Sequence, residues 1–427
     1  MKFLRIILIG ILCVGTAGFL KSSDRIQYHL EIDKQKLAHL IDSYETKLLI
    51  GKHFDGQPNI DFDTDTLAFD EFRTNVIVAT VDFEHVPSGE HGTASFAYRW
   101  RNMAYELIHS SHWLWGTEVS GTLYADTTWN PSGSPYYVTD YTVVSSGVTL
   151  TIEPGTVVRV RKSTNDDAVE IDILGILNCQ NATITTSCDF ENYDNSQIQY
   201  NEVDWLGIYL KGNGVCTIED STIEYAAYGI YLNCTGDCLI SGNTLRRCQY
   251  ATMMQPSSAT HTIENNDIQD CYHGVHCDNR PTATFITGNT ITCGSNWNGY
   301  TGIYCYESSP TVTSNMISGF DYGIRCRYSS SPVVSSNTLT NNNYGIRCYY
   351  GSSPVIHNNN IEGNTYGLHN NDNLVMIDAE DNWWGDATGP YNYSSNPGGL
   401  GDSVSDYVDF EPWLTSQVLM ALSSFLY

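Results

Sequence analysis

The chain has 427 residues, enough for two or three domains or for one long repeat array. Only 16% of them are charged and the formal net charge is −27, which excludes a general nucleic-acid binder, because that class needs clustered Lys and Arg to neutralise phosphates. The abundance of Tyr, Asn, Ser, Thr and Gly is a strand-and-turn composition; the acidity leaves calcium open as a cofactor, with no residues assigned to it, and no other cofactor is expected.

Lys2 and Arg5 flank an apolar run, Phe3 to Leu20, that reads as a signal peptide, with a retained anchor as the alternative. Cys13 follows Ile11 and Leu12 where a lipoprotein cleavage site needs small residues. No later segment is long and apolar enough to span a bilayer, and the signal-like run makes the expected location outside the cytoplasm: periplasmic, cell-surface or extracellular. Residues 21–115 read as a small α+β region. Ile32 to Phe54 carries a helical pattern with Leu37, Leu40, Ile41, Tyr44, Leu48 and Leu49 on one face. Asp61, Asp63, Asp65, Asp70 and Glu71 read as a solvated acidic loop, since they lack the mid-loop glycine and closing glutamate of an EF-hand. Val76, Val78 and Thr80, then Phe96, Tyr98 and Trp100, alternate around Pro87 to Gly92 as a two-stranded hairpin with a long turn. His85, His91, His109 and His112 fall nearby without a third ligand at fixed spacing, and no metal is assigned.

Gly116, Gly121 and Pro131 to Pro135 mark a boundary, after which short strands and turns alternate through Val148–Val160, Ile171–Leu177, Ala182–Thr186 and Trp205–Leu210. From Thr217 the chain repeats itself. Asn243, Asn266, Asn289, Asn315, Asn337, Asn359 and Asn382 occupy one slot, with Ser221 in the same slot a unit earlier, at spacings of 22, 23, 23, 26, 22, 22 and 23 residues. Each unit holds three short strand-like runs, and successive copies must be parallel because the chain returns in the same sense. The expected fold is therefore all-β: a right-handed, single-stranded parallel β-helix of about 22-residue coils over residues 116–385, with a C-terminal cap and tail at 386–427.

Stacking turns each slot into a column of side chains about 4.8 Å apart. The asparagines then form an amide ladder, a scaffold and not a set of acids or bases. Cys277, Cys305, Cys326 and Cys348 share an inward slot as a buried thiol stack, and Cys216 and Cys238 share another. Read along the chain, Cys271, His273, His276 and Cys277 look like metal ligands, but the register sends Cys277 inward and His276 outward. The outward slots gather His276, Tyr304, Arg325, Arg347 and His369 in one column and Tyr306, Arg327 and Tyr349 in the next. These eight are the expected substrate-binding residues: tyrosine offers an apolar face to a sugar ring, and arginine pairs bidentately with a carboxylate. Glu219 and Glu264 share a column two coils apart, and no catalytic residue is assigned.

The repeats, the opening Gly147 to Val158 and the close Asp381 to Pro390 resemble bacterial exported right-handed parallel β-helix proteins of the pectin-lyase-like superfamily. The likeness covers about residues 120–413. It implies that Trp383, Trp384 and Trp413 fold over the open core, and that the partner is a polysaccharide or cell-surface glycan. Polygalacturonase-like members carry four short catalytic motifs, of which only an Asp-Asp, Asp166-Asp167, is present. The expectation is an exported module that binds extended, uronate-containing polysaccharide or serves as a cell-surface scaffold; the alternative is a polysaccharide lyase or glycoside hydrolase working in a groove of the β-helix.

Overall fold

The computed structural model describes residues 39–43, 46–47, 50, 60–73, 76–85, 90–101, 104–114, 116–161, 169–186, 205–256, 258–279, 283–295 and 299–419. The first part is a four-stranded antiparallel meander, β1 (Ile60–Arg73), β2 (Val76–His85), β3 (Glu90–Arg101) and β4 (Ala104–Leu114). Helical residues at 39–41, 46–47 and 50 accompany it, and Ile41 and Ile50 pack with Phe62, Val81, Phe83 and Phe96 in a separate apolar cluster. Leu40 is half-buried and Ile41 fully buried, whereas Leu37, Tyr44, Leu48 and Leu49 lie outside the described residues.

Two local expectations are corrected. The acidic run is strand, not loop: Asp61 and Asp63 alternate with Ile60 and Phe62, which enter the cluster, so the charges mark the wet face of β1. The hairpin belongs to four strands, and its pairing runs on to His85 opposite Glu90, so that His91 and Gly92 are strand residues. The side chains of His85, His91, His109 and His112 are outside the described set.

From Thr117 the chain winds into a parallel solenoid with three faces. A 12-stranded sheet runs from Thr127–Trp129 to Val408–Asp409 and forms the third face; a 20-stranded sheet wraps the other two. The first face runs from Thr117–Leu123 to Tyr366–Asn370, and the second from Val157–Val160 to Asn360–Glu362. The third face continues past residue 385, since Ile377–Asp378 pairs with Val408–Asp409. Inside, like stacks on like: Ile208, Ile230, Thr252, Val275, Ile303, Ile324, Ile346 and Leu368 are one column, Cys277, Cys305, Cys326 and Cys348 another. All eleven described cysteines are buried, and none forms a disulfide with another.

Each corner of the triangle must satisfy the backbone groups left over where strands stop. At the third-to-second corner the asparagine ladder does so. Asn315 donates through Nδ2 to Asn337 Oδ1 (3.0 Å), Ile286 O (2.8 Å) and Thr313 O (3.0 Å), and its Oδ1 accepts from the backbone and side-chain nitrogens of Asn289. The chain reaches each rung through a left-handed residue, φ +57° at Ser336 and Asn358 and +68° at Gly242, which is why Gly, Asn, Asp or Ser precedes the ladder residue. The other two corners carry ladders absent from the sequence reading. Asn342 Oδ1 accepts from Phe320 N, Asn364 Oδ1 from Asn342 N, and Asp402 ends that series; Ser330 Oγ accepts from Ser308 N, and Ser352 Oγ from Ser330 N.

Of the three tryptophans expected over the core, only Trp384 is fully buried, its ring filling the space above Gly367. Trp383 lies on the flank and donates to Glu362, while Trp413 packs on Phe410 and Gly389. Thus one ring closes the end and two brace it.

Candidate functional site

The first face is shaped by the motif Tyr-Gly-Ile-x-Cys. Ile and Cys alternate inward, so the residue between them points out, and in-register pairing gives the outward column Asp172, Tyr209, Tyr231, Met253, His276, Tyr304, Arg325, Arg347, His369. Asp278, Tyr306 and Arg327 form the neighbouring column, which Tyr349 extends. The glycine before each inward residue is set by close stacking: a Cβ on Gly323 or Gly345 would lie 2.6 Å from a carbonyl of the next coil. Ala251 takes this slot in one coil, so the requirement is for the smallest side chains.

The structure brings the expected binding residues together. Arg325 lies over Tyr322 (4.7 Å to the ring centre), Tyr300 (5.2 Å), Tyr304 (5.3 Å) and Tyr349 (5.4 Å) and donates to the Tyr300 hydroxyl at 2.7 Å. Arg347 stacks on Tyr344 at 4.1 Å, lies 4.9 Å from Tyr349 and donates to Asn371 Oδ1. Arg327 lies between Tyr328 and Tyr350 and reaches the Tyr304 hydroxyl. Among the described residues none of these three arginines is in an ion pair with a carboxylate. Register neighbours such as Arg325 and Arg347, about 5 Å apart, repel by roughly 1 kcal/mol even in a water-like dielectric. Tyrosine faces offset this through cation–π attraction.

His276 and Tyr304 point outward yet are almost covered, because aromatic neighbours close over them. His276 lies 4.6 Å from Tyr304 and 5.5 Å from Tyr250, and His273 stacks on Tyr250 at 4.6 Å. Burial lowers the imidazole of His273 to about 3 and that of His276 to about 4, so both are neutral rings near pH 7. His369 is half-buried, set edge-on to Tyr344 and Tyr366. A further aromatic column was not anticipated. Tyr228, Tyr250 and His273 stack in sequence, as do Tyr322, Tyr344 and Tyr366, the last pair at 4.9 Å and 9°. These residues sit just before the glycine, ahead of two successive buried residues and so outside simple alternation; their recurrence at the coil spacing was the available signal.

The same face ends differently toward its first coils. Lys211 bridges Glu170 (3.0 Å) and the buried Asp172 (2.8 Å), the Tyr141 hydroxyl donates to Asp172, and Lys211 also caps the Tyr209 ring at 4.9 Å. Burial raises Glu170 above the ordinary carboxylate range against the pull of the Lys211 ammonium. The outward aromatic column therefore runs between a cationic group and an acidic cluster.

Other candidates stand apart. Glu219 and Glu264 do share a column, with Ser241 between them, but on the third face. Asp166 and Asp167 lie outside the described residues. Among the described residues no three His, Cys, Asp or Glu side chains form a group that could hold a metal, and no helix is long and apolar enough to cross a membrane.

Residues 206–293 and 256–383 match the family model of the right-handed β-helix region. No curated protein matches the chain. The matched stretch contains seven rungs of the asparagine ladder and all eight residues expected to bind substrate. The match and the sheet topology agree that the chain forms a right-handed parallel β-solenoid from Thr117 onward.

Proposed function

We propose that the first face binds an extended, anionic polysaccharide lying along the solenoid, and that the protein is an exported, pectin-lyase-like module for which such a glycan is the partner. The reading rests on one observation: three guanidinium groups, held on tyrosine rings and without carboxylate partners among the described residues, line a continuous aromatic face. Aromatic faces accept the apolar side of a sugar ring, and guanidinium forks accept carboxylates. Binding of polygalacturonate, alginate and a neutral β-glucan is to be compared by affinity electrophoresis and calorimetry at two salt concentrations. Tighter binding to the anionic chains, weakened by salt, is expected. Equal affinity for the neutral glucan, or binding to none of the three, would refute it.

A second reading, a lyase or hydrolase, is favoured by the Glu170, Asp172, Lys211 and Tyr141 cluster, since two interacting carboxylates beside an ammonium are a means of placing protons. Incubation with the same glycans, following unsaturated-product absorbance and reducing ends, tests it. Turnover lost in Glu170→Gln would establish the enzyme; no turnover on any glycan would leave the binding module.

A further inference from the structure

The corner at which the first face turns into the third carries thiols that glycan binding does not use. Cys234 closes the strand Ala226–Cys234 and Cys238 opens the strand Cys238–Ser241, so Thr235, Gly236 and Asp237 alone separate them. Their sulfur atoms are 3.7 Å apart, and both are directed at the same carbonyl, Gly236 O, at 3.6 and 3.8 Å. Both cysteines are buried, yet Thr235 and Asp237 in the turn above them are exposed. Cys216 stands in register with Cys238 on the preceding coil.

We propose that Cys234 and Cys238 are the site of a disulfide within one coil, which staples the binding face to the third face at this corner. The chemistry is thiol–disulfide exchange with a small-molecule or protein disulfide as oxidant. One cysteine, as thiolate, attacks a sulfur of the oxidant and expels one of its thiolates; the other then displaces the second. One sulfur–sulfur bond forms here and one breaks in the oxidant, two electrons pass to it, and the two thiol protons end on its reduced halves.

Geometry separates this pair from the other thiols. Cys277, Cys305, Cys326 and Cys348 lie on successive coils, where parallel strands about 4.8 Å apart hold neighbouring β-carbons too far apart for a relaxed bridge. Cys216 and Cys238 have the same in-register relation, and their thiols touch without the two arms of one turn to bring them together. Cys234 and Cys238 instead approach from the two arms of one turn, so side-chain rotation closes the remaining gap while the coils stay stacked. Contact with Cys238 and burial push the Cys234 thiol up, and reaction therefore proceeds as the exposed turn opens.

The test uses the full chain, incubated with oxidised glutathione at neutral pH, alkylated in denaturant without reductant and cleaved before aspartate. Cleavage at Asp237 severs the chain between the two cysteines; the expected product is a pair of peptides that stay joined until reductant is added, with neither cysteine alkylated. The same linkage is expected in Cys216→Ser. Alkylation of both Cys234 and Cys238, or a bridge from Cys238 to Cys216, would overturn the proposal. Reductant should also lower the unfolding midpoint of the oxidised wild type by a few degrees and leave Cys234→Ser unmoved. An equal shift in both would count against the staple, and if Cys234→Ser does not fold, the wild-type peptide map decides alone.

Discussion

Replacing Arg325 is the sharpest test of the proposed binding by the first face. Its guanidinium is surrounded by four tyrosines and held by the Tyr300 hydroxyl at 2.7 Å, so it is fixed in place before any ligand arrives. A ligand carboxylate therefore gains a charge-assisted contact with little ordering cost, about 1.5–3 kcal/mol, and Arg325→Ala should raise the Kd for an anionic glycan by roughly 10- to 150-fold. Arg325→Lys keeps the charge and loses the fork, and should fall between wild type and alanine. The assay is calorimetric titration with uronate oligosaccharides at low and moderate salt, with the unfolding midpoint measured alongside. Loss of the cation–π contacts costs about 0.5–2 kcal/mol of stability, which leaves a solenoid of this length folded. A change in Kd below twofold, or an equal loss for a neutral glucan, would show that Arg325 braces tyrosines and reads no charge.

Asn315→Ala should destabilise by about 3–5 kcal/mol in denaturant titration, since it strands buried partners on both neighbouring coils, whereas an exposed Asn341→Ala should cost far less. His273 and His276 have folded-state values below the unfolded 6.5, so the unfolded chain binds more protons as pH falls through 6.5 and stability is lost toward about 4. For His276 that loss is about 2 kcal/mol at pH 5, read as a shift in urea midpoint that His276→Phe should reduce by about half, the rest belonging to His273. Trp384→Ala empties the ring that closes the last coil and should cost about 3–5 kcal/mol, with enhanced amide exchange at Leu368 before the central coils. Gly345→Val places carbon 2.6 Å from Gly367 O and should abolish soluble expression, while Gly351→Ala, in a roomier turn, should fold with a modest penalty.

The asparagine ladder was legible because one chemical type fills one slot at a nearly constant interval, and a buried amide has few other uses. The Tyr and Arg columns were legible for the same reason once the inward Ile and Cys positions set the register. The second corner was not: Cys248, Cys271, Phe320, Asn342 and Asn364 differ in type, and the cysteine sulfur at 271 accepts from Cys248 N much as an amide oxygen does elsewhere. Neither was the acidic cluster, because Tyr141, Glu170, Asp172 and Lys211 come from early coils of irregular length and meet only when those coils stack. The acidic strand β1 is not the loop its charge suggests, because Ile60 and Phe62 alternate with Asp61 and Asp63 and one face is buried.

The rungs from Asn337 to Asn359 are 22 residues apart. A segment of that length is a structural codon: removing it should bring Asn337 onto the partner that Asn359 now uses, shorten the cationic group by one arginine and keep every other column in phase. A deletion that is not a whole coil would slide amides, thiols and glycines into slots shaped for something else. The chain has a reading frame in space as well as in sequence, and the length of its first face is a quantity that can change in whole coils.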